Sequence, residues 1–242
     1  MTWSIAGYGC LVNFLTFAEQ FIEAQFPRAA IAVLAGSTAR RERTATSDID
    51  LLLIGEDLFE QERSRTAMAT TRAYAGEVFE IFAYTPAGFA EWAERDLAQH
   101  RPVIVRMLID GIPIRDDGSL ATLRAQWRTS LDLGPRIDDA ELAFRRYVIT
   151  DLLDDLRDST SPIEMRVLEG LLYERIAELI LLSGGEWIGS GKWLPRRLAA
   201  FDAMRATALS TPLLAGDHAG FAERVAAELD ACGGRMQDGM VR

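Results

Sequence analysis

The sequence contains little cysteine, histidine or proline. Two cysteines among 242 residues exclude a disulfide framework and fit a reducing compartment. Two histidines argue against a His-based zinc site or a His-dependent catalytic triad. Eight prolines and 49% apolar residues exclude a collagen-like, low-complexity or disordered chain. The length instead fits one large domain or two ordinary ones.

Positive charge is also scarce, with 26 basic residues against 36 acidic ones and a net charge of −10. Nucleic-acid binders neutralise phosphates with basic residues, so this balance argues against a nucleic-acid partner. The first basic residue is Arg28, so no basic region precedes the apolar N-terminal stretch. A secretory signal and a membrane span are therefore not supported, and we expect a cytoplasmic protein with no membrane partner.

The first half of the chain alternates short apolar runs with helical patterns. The apolar runs predict three strands, at 30–35, 49–54 and 78–84. Helical patterns or compositions occupy 11–26, 57–73 and 87–99, and Pro27 ends the first of them. This alternation predicts an α/β or α+β sheet with helices packed on it.

The second half has helical patterns only, at 138–158, 163–183, 192–208 and 217–232. The pattern over 163–183 is apolar almost all round, with Val167 and Leu171 among its members, and predicts the buried centre of a bundle. Turn and break signals place a boundary between residues 116 and 135. We therefore predict an α+β protein, with a mixed sheet and helices in 1–115 and an all-helical bundle in 116–242.

Two carboxylates stand at the start of the second predicted strand, in the run Asp48-Ile49-Asp50. Residues i and i+2 of a strand point to the same face, so Asp48 and Asp50 should lie side by side. Their mutual repulsion would be relieved by a divalent cation that prefers oxygen ligands. The pattern predicts a Mg²⁺ or Mn²⁺ site.

The pair Gly36-Ser37 ends the preceding strand and leads into a predicted short helix over 38–43. The backbone N–H groups of such a turn attract anions, and the Ser37 hydroxyl adds a donor. This arrangement suits the terminal phosphates of a nucleotide. Together with the paired carboxylates it indicates metal-assisted transfer of a phosphorus-containing group.

Glu80 is the candidate for a third carboxylate, because it interrupts the apolar run from Val78 to Tyr84. A charge inside an apolar strand is costly unless it is paired or bound to a metal. The alternative is that Glu80 faces solvent on an edge strand. Glu77, at the entrance of the same strand, is expected to be solvated.

These motifs, Gly36-Ser37, Ser47-Asp48-Ile49-Asp50-Leu51 and a following strand with Glu80, resemble the nucleotidyltransferase superfamily of the DNA polymerase β type. Within it they are most similar to the minimal and the aminoglycoside nucleotidyltransferases. The resemblance covers about residues 30–85, a third of the chain. It implies that the predicted sheet is the catalytic domain and the helical half an acceptor-binding, cleft-closing domain.

The resemblance also implies residue roles. Asp48 and Asp50 would bind Mg²⁺, two ions in all, and Glu80 would be a third metal ligand or the base for the acceptor hydroxyl. The turn at 36–37 and Ser47 would contact the phosphates of ATP or another nucleoside triphosphate. The implied reaction is attack of an acceptor hydroxyl on the α-phosphorus, with release of pyrophosphate.

Two features of the second half bear on this reaction. The segment 190–196 resembles the basic loop that reaches the triphosphate in the aminoglycoside enzymes, which makes Lys192 a nucleotide-binding candidate; the alternative is an ordinary exposed lysine. Asp151, Asp155 and Asp158 form an acidic stripe at helical spacing. Such a stripe could receive a polyamine-like acceptor, but it is more often a solvated helix face.

Three functions compete. The first is transfer of a nucleoside monophosphate, AMP from ATP, to a hydroxyl of a small polar, aminoglycoside-like acceptor. The second is adenylylation of a partner protein by an antitoxin-type enzyme. The third is a catalytically silent nucleotide-binding regulator, which would have no need of the third carboxylate.

Overall fold

The chain forms two compact units, Met1–Leu133 and Gly134–Arg242. The structure is a computed structural model. It describes residues 6–60, 62 and 64–237, and side chains from residue 14 onward. The first unit contains the following elements in chain order: α1 (Ala6–Gln25), β1 (Ile31–Leu34), α2 (Gly36–Arg40), β2 (Ile49–Ile54), β3 (Ala67–Tyr74), β4 (Glu77–Tyr84), α3 (Pro86–Ala98), α4 (Val103–Asp110), β5 (Ile112–Arg115) and α5 (Leu120–Asp132).

Five strands of the first unit form one mixed sheet in the order β3-β4-β2-β1-β5. Strands β2 and β4 run parallel, and the other neighbouring pairs are antiparallel. The parallel pair places Asp50 directly opposite Glu80. The predicted α+β class, with a mixed sheet flanked by helices, is confirmed.

The central strand β2 is buried on both faces because its side chains enter two different cores. Leu51 and Leu53 belong to the core that contains Phe21 of α1. Leu52 and Ile54 belong to the core formed with helices α3 to α5. Alternate side chains of a strand point to opposite faces, so an unbroken apolar run is what a sheet covered on both sides requires.

The predicted helix over 57–73 is wrong, because Ala67–Tyr74 is the edge strand β3. Alanine, methionine and arginine in this segment favour helix, but pairing with β4 along its whole length outweighs that local preference. The connecting turn has positive φ at Ala75 (47°) and Gly76 (89°), as a two-residue hairpin turn requires. The sequence analysis also missed β5, α4 and α5.

Helix α5 packs with the sheet, since Leu120 and Trp127 belong to the core that contains Leu52. The first unit therefore extends to Leu133, beyond residue 115 but within the region 116–135 in which the sequence places the boundary.

In the part of the second unit that the structure describes, all regular secondary structure is helical. Its elements are α6 (Asp139–Asp158), α7 (Pro162–Ser183), α8 (Trp193–Phe201), α9 (Ala203–Ala215) and α10 (His218–Ala231). The predicted helix over 192–208 is interrupted at Asp202, whose carboxylate accepts hydrogen bonds from the N–H groups of Met204 and Arg205 and so begins α9. No helix among the described residues is both long enough and apolar enough to cross a membrane.

The prediction that helix α7 is the buried centre of the bundle is correct for its C-terminal half, where residues 176–182 are all buried, and wrong for its N-terminal half, which is buried on one side only. Leu172, Ile176 and Leu179 are inaccessible to solvent, whereas Val167 and Leu171 are exposed. The buried residues of α7 include two charged ones, Glu169 and Glu178. Glu178, for example, receives hydrogen bonds from Arg145 and Arg175, which compensate the cost of burying its charge.

We predict that Ile176→Ala lowers the free energy of unfolding of the second unit by about 2–5 kcal/mol, because it leaves a cavity in a closed core. Met204→Ala is the control, since Met204 is 83% exposed, and should change it by less than about 0.5 kcal/mol. Urea unfolding followed by circular dichroism measures both. Equal midpoints would contradict the described core.

Candidate metal centre

Two of the candidate carboxylates are positioned by strand β2. Asp48 immediately precedes the strand and Asp50 is its second residue, with buried Ile49 between them. Because Ile49 points into the core, its two neighbours point to the opposite face. The main chain is held here by hydrogen bonds from Ala35 N–H to the Asp50 carbonyl (2.9 Å) and from the Thr38 hydroxyl to the Asp48 carbonyl (3.4 Å).

The third carboxylate comes from β4, where Glu80 pairs with Asp50 across the parallel ladder. One oxygen each of Asp48, Asp50 and Glu80 lie within 4.8 Å of one another, and all three side chains are half-buried. Strand β4 lies between β2 and β3, so the alternative placement of Glu80 on an edge strand is wrong. The structure thus brings together the three carboxylates singled out in the sequence.

Proximity and partial burial disfavour the charged state of this cluster. Burial, followed by the charges of Asp48 and Glu80, raises the pKa of Asp50 from 3.8 to about 6, while Arg40 acts in the opposite direction. Burial and Asp48 also raise the pKa of Glu80. A hydrogen bond between the two carboxyl groups raises the pKa of Asp50 and lowers that of Glu80.

The donor set is made of carboxylate oxygens alone. Hard divalent cations such as Mg²⁺ and Mn²⁺ prefer such ligands, whereas zinc sites usually include histidine or cysteine. Three converging carboxylates concentrate negative charge in a small volume, and a divalent cation would neutralise it. The residues present therefore fit the metal that the sequence predicted.

Gly36 is required beside this cluster for two reasons. Its φ of +62° favours glycine, and a Cβ atom built on it would lie 1.6 Å from Oδ2 of Asp50. The Asp50 carboxylate thus packs directly against the backbone at the start of α2. Ser37 follows within the same short helix and is half-buried.

The other two nucleotide-binding candidates have different surroundings. The Ser47 hydroxyl accepts a hydrogen bond from Thr44 N–H (2.9 Å) and lies 3.0 Å from the Thr44 hydroxyl, so it supports the turn that precedes Asp48. Lys192 belongs to the second unit, where it is exposed at the N-terminus of α8. The phosphate-binding roles of Ser37, Ser47 and Lys192 stay predictions.

An ion pair missed by the sequence analysis supports the same turn. Arg43 pairs with Glu77, the first residue of β4, and its guanidinium lies 4.8 Å from the centroid of the Phe14 ring. The expectation that Glu77 is merely solvated is therefore wrong. The pair joins residues 34 positions apart, and no local pattern signals such a contact.

Comparison with known proteins finds similarity among solved structures. No family model matches the chain, and none of the curated proteins matches it in sequence. Among solved structures, the chain is similar to a nucleotidyltransferase-like protein from Exiguobacterium sibiricum 255-15, with 14% identity and a TM-score of 0.43. The similarity covers 89% of this chain and 74% of that chain. Similarity at this level carries no argument about activity.

We predict that Gly36→Ala weakens Mn²⁺ binding at the cluster, because the added methyl group displaces the Asp50 carboxylate. Gly76→Ala is the matched control: Gly76 also has a positive φ, but its Cβ would meet nothing within 4 Å. Isothermal titration with Mn²⁺ should show at least about tenfold weaker binding for Gly36→Ala, as expected when a metal ligand is misplaced. Equal affinities for the two variants would contradict the described packing.

We also predict that Asp50→Asn stabilises the chelator-treated protein at pH 7. The folded-state pKa of Asp50 lies above its ordinary value, so the folded state is penalised once the pH rises through the range from 3.8 to about 6. Removing the ionised group should raise the free energy of unfolding by about 1–2 kcal/mol after allowance for solvent screening. The gain should largely disappear at pH 3.5, where Asp50 is mostly protonated in both states.

Thermal melting at the two pH values measures this effect, with Glu94→Gln, an exposed carboxylate on α3, as control. A loss of stability in Asp50→Asn at pH 7 would show that the carboxylates do not repel one another in the folded state.

Proposed function

We propose that this protein is a Mg²⁺-dependent nucleotidyltransferase. The observation that carries the proposal is the convergence of Asp48, Asp50 and Glu80 within 4.8 Å, beside the Gly36-Ser37 turn. A dense group of carboxylates next to backbone N–H groups offers separate places for a divalent cation and for an anion. A complex of Mg²⁺ with a nucleoside triphosphate contains both a divalent cation and anionic phosphates.

In the proposed reaction an acceptor hydroxyl forms a bond to the α-phosphorus of the triphosphate, and the bond from that phosphorus to the bridging oxygen of pyrophosphate breaks. Asp48 and Asp50 would hold Mg²⁺, which when bound supplies Lewis-acid stabilisation of negative charge on the phosphoryl oxygens. Glu80 would be a third ligand or would take the proton of the hydroxyl.

The triphosphate would be ATP, with AMP as the transferred group, and its phosphates would contact the first turn of α2. The first N–H groups of a helix have no partner within the helix, so the backbone at Gly36 and Ser37 is suited to donate to phosphate oxygens. Ser47 and Lys192 complete the proposed nucleotide contacts. A small polar molecule with a free hydroxyl is the proposed acceptor, and a protein hydroxyl is the alternative.

The decisive experiment incubates the full chain with α-labelled ATP, Mg²⁺ and either a panel of aminoglycosides or a cell extract. We predict Mg²⁺-dependent transfer of label that falls at least about 100-fold in Asp48→Asn, since a metal ligand is lost. Asp57→Asn, which removes an exposed carboxylate of the same unit, is the control and should retain activity. Label in the small-molecule fraction identifies a small acceptor, and label on protein identifies the alternative.

Two results would contradict the proposal. The first is label transfer by Asp48→Asn at the rate of the wild type. The second is Mg²⁺-dependent ATP binding, seen as a rise in melting temperature, without transfer to any acceptor or any release of pyrophosphate. The second result would favour a silent nucleotide-binding regulator.

A further inference from the structure

A groove in the second unit lies between the C-terminal end of α6 and the N-terminal end of α7. It has a volume of about 530 Å³. Its lining combines three carboxylates with three apolar side chains, namely Asp155, Asp158, Glu164, Ile163, Val167 and Leu168. We refer to these six residues as the α6–α7 groove.

The apolar side of the groove continues along α7 as a stripe of exposed residues. Ile163, Val167 and Leu171 are 71%, 56% and 39% exposed and follow one another at intervals of four residues. Residues spaced in this way share one helix face, and eight residues of helix span about 12 Å. Soluble proteins rarely leave a contiguous row of large apolar side chains exposed unless something binds there.

The carboxylates on the acidic side of the groove are not neutralised by basic side chains of the described residues. Asp155 and Asp158 are exposed and take part in no ion pair among the described residues, and Glu164 accepts a hydrogen bond from the Ser159 hydroxyl (3.1 Å) without pairing with a cation. A ligand that matches this lining must therefore be apolar on one side and positively charged at its edge.

The negative charge of the groove also argues against a second copy of the chain, an anionic lipid surface or a nucleic acid as its ligand. In a twofold dimer through this face, each copy would bring three carboxylates and no basic side chain among its groove residues, so the negative charges would stay unpaired. Anionic lipid surfaces and nucleic acids would be repelled for the same reason. A short polyamine would satisfy the carboxylates but would leave the apolar stripe uncovered.

We propose that the α6–α7 groove is a docking site for a basic amphipathic helix of a partner protein. Such a helix would lay its apolar face along the stripe of Ile163, Val167 and Leu171 and direct arginine or lysine side chains to Asp155, Asp158 and Glu164. Helices commonly bind in this way, with anchors three and four residues apart. The inference is independent of the metal centre, which lies in the first unit.

The test uses the full chain and a fluorescent peptide of about 18 residues, five turns of helix, with leucines on one face and arginines on the other. A scrambled peptide of the same composition and spermine serve as comparison ligands. We expect micromolar binding of the amphipathic peptide, weakened by salt as ion pairs are screened, and clearly weaker binding of both comparison ligands. Fluorescence anisotropy measures the affinities.

Two groove variants locate the binding. Ile163→Ser/Val167→Ser removes apolar anchors, and Asp155→Asn/Asp158→Asn/Glu164→Gln removes the acidic edge. Each should weaken the amphipathic peptide at least about tenfold, since each removes one of the two matched features. All five residues are exposed, and thermal melting checks that the variants fold.

Matched controls change the same chemistry elsewhere in the second unit. Met204→Ser/Leu214→Ser removes two other exposed apolar residues, and Glu186→Gln/Glu223→Gln/Asp230→Asn removes three other exposed carboxylates. Both controls should bind like the wild type, as should Asp48→Asn. The proposal is overturned if the wild type does not bind the amphipathic peptide, or if the scrambled peptide or spermine binds with the same affinity. It is also overturned if groove and control variants bind the peptide alike, or if the effect of the groove variants is to abolish a dimer.

Discussion

The candidate site depends on one unfavourable interaction, the repulsion among three carboxylates that the sheet holds together. The parallel register of β2 and β4 sets Glu80 opposite Asp50, and the buried Ile49 fixes Asp48 on the same face. The cores on both sides of β2 hold this arrangement in place despite its cost, because burial, and then the charges of Asp48 and Glu80, raise the pKa of Asp50. Unfavourable electrostatics of this kind is typical of functional sites, because the charge that destabilises the fold also suits the binding of a cation.

The pair Asp48 and Asp50 could be predicted from the sequence because its geometry is local, whereas the position of Glu80 opposite Asp50 depends on the pairing of β2 with β4. Residues 48 and 50 share a face in any strand, and a charged residue inside an apolar strand signals a special environment. The supporting contacts could not be predicted in this way. Arg43 and Glu77 are distant in the chain, and β3 is a strand because of its partner β4 rather than its own composition. Tertiary pairing decides such cases.

The second unit illustrates a related limit of sequence patterns. Periodicity shows that α7 is apolar on more than one face, but it does not show which face its neighbours cover. In the structure Leu172, Ile176 and Leu179 enter the core, whereas Ile163 and Val167 remain exposed beside Asp155 and the other acidic residues of the groove. The N-terminal part of α7 thus keeps an exposed apolar face next to the acidic residues of the groove.

The most direct test of the account is crystallographic. Crystals of the full chain grown with Mn²⁺ and a non-hydrolysable ATP analogue would locate the metal by anomalous scattering. We predict at least one anomalous peak bound by oxygens of Asp48, Asp50 and Glu80, with the phosphates of the analogue against the backbone of Gly36 and Ser37. Density for the analogue elsewhere, or no peak between the three carboxylates at saturating Mn²⁺, would contradict the central claim that this cluster is a metal–nucleotide site.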